Sequence, residues 1–133
     1  MIKGFCVPFR LDGLNDYTRA NRAGAQVGAA MKRKNEAFVM DAIRDAHLND
    51  LQIEVPVKIC FHWFENNRKR DLDNIAFAKK FILDALVRSG TIKNDNWECV
   101  IGFTDEFTCA RHLEPHVNVI IITIDDAVME HVI

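Results

Sequence analysis

Apolar and polar residues alternate along IEVPVKICFHWF (53–64). Val55, Val57, Ile59, Phe61 and Trp63 share one face and Lys58 and His62 the other, which predicts a strand. Pro56 fits an edge strand or a strand start. IKGFCVPF (2–9) predicts a shorter strand closed by proline, and WECVIGFTDEF (97–107) and PHVNVIIITI (115–124) predict two antiparallel neighbours joined around Ala110 to Glu114. Ile120, Ile121 and Ile122 make the last strand apolar on both faces, as in a central position. The spacing switches to helical in two places. Phe38, Ala42, Ile43 and Ala46 mark a helix from about Ala29 to His47. Ile75, Ala78, Ile82, Ala85 and Leu86 mark another over 75–90, with Asp73 as its N-cap and Gly90 just past its end. RLDGLNDYTRANRAGAQVG (10–28) holds no sustained period and predicts a long loop. The order is β-α-β-α-β-β: an α+β fold in one domain, 1–133, with a small mixed sheet of about four strands and two main helices.

Composition adds little to that picture and excludes some classes. The 133 residues are 49% hydrophobic and 27% charged, ordinary values for a folded domain. No apolar run reaches the length of a membrane span, and the N-terminus lacks the apolar stretch of a signal peptide. Cys6, Cys60, Cys99 and Cys109 form no CxxC pair, and the expectation is free thiols in a reducing cytoplasm, with Cys6 and Cys60 buried. Trp63 and Trp97 are expected as core or interface anchors. Neither a Ser-His-Asp spacing nor a Gly-rich phosphate loop is visible. His112 and His116, four apart, are separated by Pro115 and read as loop residues rather than a helical metal pair.

Charge changes the picture more. Net charge is −2, yet residues 1–94 carry 16 Lys and Arg against 11 acids, and residues 95–133 carry one against eight. A basic face is therefore compatible with a mildly acidic chain. Arg19, Arg22, Lys32, Arg33 and Lys34 lie in a stretch, 17–34, that holds no acid. They are candidate contacts to backbone phosphates, with a solvated helix end as the plainer reading. Tyr17 beside them stacks on a base or simply packs.

In RKRDLDN (68–74) three cations precede two carboxylates. Where the backbone is extended, Asp71 and Asp73 point to one side, and Mg²⁺ is commonly held by one or two carboxylates together with a substrate phosphate. NDNW (94–97) offers Asp95 as a third acid. On a continuous helix, Asp73, Lys80 and Asp84 fall within roughly 20° of one line, with Lys79 about 100° away. The plainer reading makes the pair a helix cap with a surface ion pair to Arg70, and makes Asp84 the partner of Lys80 or Arg88.

Taken together, DLDN, then K…LDAL, SG and NDNW resemble the signature of the RusA family of Holliday junction resolvases. The resemblance covers about residues 66–103, and more loosely the Leu-Asn-Asp-Tyr segment and basic helix start before them. It implies a small, often prophage-borne crossover junction endodeoxyribonuclease of recombination and repair. Such an enzyme uses Mg²⁺ (or Mn²⁺), acts on four-way DNA junctions as a homodimer, and has no membrane partner. Asp71, Asp73 and Asp95 match the metal-binding carboxylates, with Asn94 in place of a second acid. The active lysine falls four residues after the second Asp in the shorter family pattern, where this chain has Phe77. Counting back four from Asp84 gives Lys80. Arg68, Lys69 and Arg70 join the 17–34 cations as expected DNA contacts. The alternatives are a non-catalytic DNA-binding accessory module of recombination and a phosphohydrolase of small esters.

Overall fold

The computed structural model describes residues 1–124. Its elements are β1 (Ile2–Val7), α1 (Leu14–Ala23), α2 (Ala25–Asp45), β2 (Val57–Glu65), α3 (Leu72–Ala76), α4 (Lys79–Arg88), β3 (Val100–Cys109) and β4 (His116–Thr123). The class is the α+β one expected, with a four-stranded mixed sheet and α2 and α4 as the main helices.

The sheet runs β1-β4-β2-β3. β4 is antiparallel to both β1 and β2, whereas β2 and β3 are parallel, so α3 and α4 form the crossover that a parallel pair requires. This corrects the expected pairing of β3 with β4: β2 lies between them. Burial accounts for the order. Val57, Ile59, Phe61 and Trp63 of β2 and Val117, Val119 and Ile121 of β4 are all buried against the helices, and such strands take central places. Thr104, Asp105 and Glu106 leave β3 polar enough for an edge. Pro56 thus precedes a central strand, and Val55 lies outside it, exposed. Cys6 is exposed and Cys60 half-buried, because both point to the sheet face that the helices do not cover.

The segment expected as a loop, 10–28, is mostly helical. α1 has no capping side chain of its own at Gly13. Asn74, 59 residues away, supplies the oxygen that accepts the Asn15 N–H at 2.9 Å, and Asp16 accepts the Gly13 N–H at 3.1 Å. The chain passes so close here that a Cβ at Gly13 would stand 2.5 Å from Asn74 Oδ1. The preceding loop is fixed by fully buried Asn35, which exchanges two hydrogen bonds with Asp12 and donates a third to the Met31 carbonyl.

The helix expected over 75–90 is two helices. Its apolar stripe is buried as expected, but successive three-residue hydrogen bonds (Ala78 to Ile75, Lys80 to Phe77, Phe81 to Ala78) tighten the backbone between α3 and α4. Gly90, with φ +74°, ends α4 in a Schellman arrangement: its N–H donates to the Val87 carbonyl and that of Thr91 to Leu86. Thr91 also donates to the Leu48 carbonyl, and Ile53 bridges Ile92, so the exit of α4 is pinned before the chain reaches Asp95.

Candidate functional site

Asp71, not Asp73, stands at the N-cap, in extended conformation (φ −69°, ψ 159°); Asp73 lies in the first turn of α3. Asp71 makes no capping bond with its side chain. Both carboxylates are exposed, and neither accepts a hydrogen bond or ion pair among the described residues. The amide of the motif has the opposite character: Asn74 is buried and holds α1.

The three cations ahead of the motif divide in the same way. Arg68 and Lys69 are exposed and unpaired among the described residues. Arg70 is not free: its Nε and Nη2 reach Glu65 Oε1 at 2.9 and 2.7 Å, and Nη1 donates to the Leu11 carbonyl at 3.2 Å. The side chains of Arg70 and Glu65 are only 10% and 13% exposed, so the pair belongs to the fold. Asp71 and Arg68 line a groove of about 360 Å³ with Trp63, Leu72, Ile75 and Phe107.

Asp95, also exposed and without a side-chain partner among the described residues, lines a different groove, of about 460 Å³, beside Lys32, Glu36, Lys80, Asp84 and Arg88. The structure therefore brings Lys80 and Asp95 to one groove and leaves Asp71 in another. Among the described residues, no group of three or more His, Cys, Asp or Glu side chains is placed to hold a metal. The backbone is extended at Asp71 only; Asp73 already lies in α3, so the same-side arrangement expected of an extended chain is not met, and a metal here would draw its remaining ligands from water and phosphate.

Asp84 is the hub of the second groove: Lys32 lies 3.3 Å from Oδ2 and Lys80 3.2 Å from Oδ1. The close Asp84 carboxylate, first among the causes, raises the Lys32 pKa above the ordinary lysine value. Below them, Arg88 donates to buried Glu36 at 2.9 Å. Because the helix is interrupted, the line drawn from Asp73 to Lys80 does not carry through. Lys80 is the exposed lysine, its side chain 57% open, and Lys79 turns toward the sheet. There Lys79 sits 2.7 Å from Asp105 Oδ2, over the rings of Phe61 and Phe103, while Asp105 also accepts the Trp63 indole N–H at 2.9 Å.

Of the 17–34 cations, Arg22 and Arg33 are exposed and unpaired among the described residues. Arg19 and Lys34 keep loose contacts of 3.9 and 3.7 Å to Asp16 and Asp12 while staying mostly exposed. Trp63 is core, whereas Trp97 is 89% exposed beside Asp95. His116 starts β4 rather than lying in the loop, and its ring stacks on Phe64. Asp105 and the aromatic wall beside Lys79 went unnoticed in the sequence. Only the strand alternation, which places Asp105 on the helix-facing side with Phe103, pointed to them. No described helix is long and apolar enough to cross a membrane.

Compared with known proteins, the chain matches no family model and no curated protein.

Proposed function

We propose that this protein is a Mg²⁺-dependent, structure-selective DNA endonuclease acting on four-way junctions, as its motif resemblance implies. The observation that carries the reading is the pair of exposed carboxylates, Asp71 and Asp73, used neither as cap nor as ion-pair partner. Carboxylates two residues apart, kept free beside free Arg68 and Lys69, serve a ligand better than they serve the fold. Arg68 and Lys69, with Arg22 and Arg33 elsewhere on the surface, would engage backbone phosphates and set position without reading sequence. Asp71 and Asp73 would hold the metal, which when bound supplies an activated water and neutralises charge on the scissile phosphate. Lys80, exposed on its groove, would stabilise negative charge developing at the phosphate, with Asp84 orienting its ammonium. Asp95 and Lys80 line one groove and Asp71 another, so they would act together only on a strand that spans both. A symmetric dimer would supply the paired cuts that a junction requires.

The second reading is a DNA-binding module without cleavage, favoured by the lack of a three-acid group among the described residues. Incubation with a labelled four-way junction, linear duplex and a nitrophenyl phosphate, with and without Mg²⁺, separates the readings. The expected result is Mg²⁺-dependent junction cleavage lost in Asp71→Asn and in Asp73→Asn, with binding and thermal stability retained. Binding without cleavage by the unaltered protein would select the accessory module. Ester hydrolysis as fast as DNA cleavage would select the small phosphohydrolase.

A further inference from the structure

A cleft of about 490 Å³ opens between the helices, lined by Tyr17, Phe77 and Phe81 with Lys32 and Lys80 at its mouth. Its wall is an aromatic cluster. Tyr17 lies 5.5 Å from Phe77 and 5.9 Å, edge-on, from Phe81, and Phe77 meets Phe81 edge-on at 5.8 Å. Three elements contribute to its rim: Tyr17 from α1, Lys32 from α2 and Lys80 from α4, whereas the Lys79 ammonium turns away to Asp105. Two lysines face it, 40% and 57% exposed, and share one carboxylate, Asp84, so the rim keeps a net positive charge. The Tyr17 hydroxyl makes no hydrogen bond among the described residues. An aromatic wall under a cationic rim matches a ligand with a flat π face and an attached anion. It mismatches an apolar peptide, which brings no negative charge, and a lone phosphate, which leaves the wall wet.

We propose that this cleft takes one unpaired nucleotide of a single-stranded or frayed DNA segment, its base against Tyr17 and Phe77 and its phosphate on the solvent side of Lys80, the more exposed of the two rim lysines. The proposal rests on the DNA reading above and adds to it a site for unstacked bases, which shares Lys80 with that reading and is lined by neither Asp71 nor Asp73. Every base has a π face, so the site discriminates paired from unpaired DNA rather than one sequence from another. Lys32 and Lys80 also line the Asp95 groove, so a strand held here passes directly to it.

The test compares binding of the full chain, in EDTA, to an oligothymidylate and to an abasic phosphodiester strand of equal length, with linear duplex as a third arm. Stacking of one base predicts roughly tenfold tighter binding of the thymidylate. Tyr17→Leu, which keeps apolar bulk, should remove that preference and leave abasic and duplex binding unchanged, and Tyr17→Phe should keep it. Photocrosslinking with an iodouracil-bearing strand should label the tryptic peptide Leu11–Arg19. Equal affinity of the unaltered protein for thymidylate and abasic strands, with duplex still bound, would overturn the cleft proposal alone. Failure to bind any of the three would overturn the DNA reading with it. A preference that survives Tyr17→Leu in a folded protein, or a crosslink elsewhere, would also overturn the assignment.

Discussion

Arg70→Ala should unfold the protein more easily without changing its affinity for DNA, unlike its two neighbours in the basic cluster. The guanidinium makes two short contacts to Glu65 and a third bond to the Leu11 carbonyl, and both partner side chains are nearly closed to solvent. Truncation strands a carboxylate at 13% exposure and orphans a carbonyl. Breaking one partner of a buried pair costs about 3–5 kcal/mol. Glu65 retains some water, so the lower end, about 3 kcal/mol, is expected. Set against a total stability of about 5–15 kcal/mol, that is a large fraction. The melting temperature should fall by about 10 °C. Urea titration followed by far-ultraviolet circular dichroism reads the effect as a lower midpoint at unchanged slope. Arg68→Ala and Lys69→Ala should leave the midpoint in place. Each should instead reduce the slope of log affinity against log salt by about one. An Arg70→Ala midpoint indistinguishable from that of the parent would refute the argument. So would a salt slope altered as much by Arg70→Ala as by Arg68→Ala.

Lys80→Ala should lower single-turnover junction cleavage by about two to three orders of magnitude while leaving stability within about 0.5 kcal/mol, since the Lys80–Asp84 pair is exposed on the lysine side. Lys79→Met should do the reverse, losing about 1 kcal/mol or more through the stranded Asp105 carboxylate while the cleavage rate stays within about tenfold. Gly13→Ala forces a Cβ against Asn74 and should cost about 1–3 kcal/mol by thermal melting, whereas Asn74→Ala, which only removes the cap, should cost about 1 kcal/mol. The raised pKa of Lys32 fixes the sign of its pH dependence. Its contribution is complete below the unfolded lysine value, about 10.4, and is lost as pH climbs through the higher folded value; alkaline melting curves of Lys32→Met should lack that last loss.

Elements whose periodicity is their own were legible from the chain. β2, β4, α2 and α4 each bury a face that their residues announce, and Gly90 ends α4 where a left-handed residue was expected. α1 was not legible because its start lacks a local cap: Gly13 offers none, and the oxygen comes from Asn74 on the far side of β2. The edge position of β3 was not read from the chain: adjacency in sequence suggested pairing with β4, and the polar run of Thr104, Asp105 and Glu106 that suits an edge was outweighed by it. The basic triplet failed for a related reason. Nothing in Arg-Lys-Arg distinguishes the third residue from the first, and the difference lies in Glu65 and the Leu11 carbonyl, which only the fold brings near.

The DLDN motif thus divides by residue rather than acting as a unit. Asp71 and Asp73 are left open, and Asn74 turns inward and anchors the start of α1. That anchor has a consequence for the site. Tyr17 follows Asn15 by two residues, so the same amide that ties α1 to the carboxylate junction also sets the aromatic wall against Phe77 and Phe81. An Asn74 substitution is therefore not a neutral change beside two acidic ligands. Loss of its bond loosens α1, and the base preference of the cleft should weaken with it even though Asn74 does not line that cleft. Asp73→Asn, one residue away and exposed, should leave that preference intact. The contrast between adjacent positions separates the scaffold of the motif from its proposed chemistry.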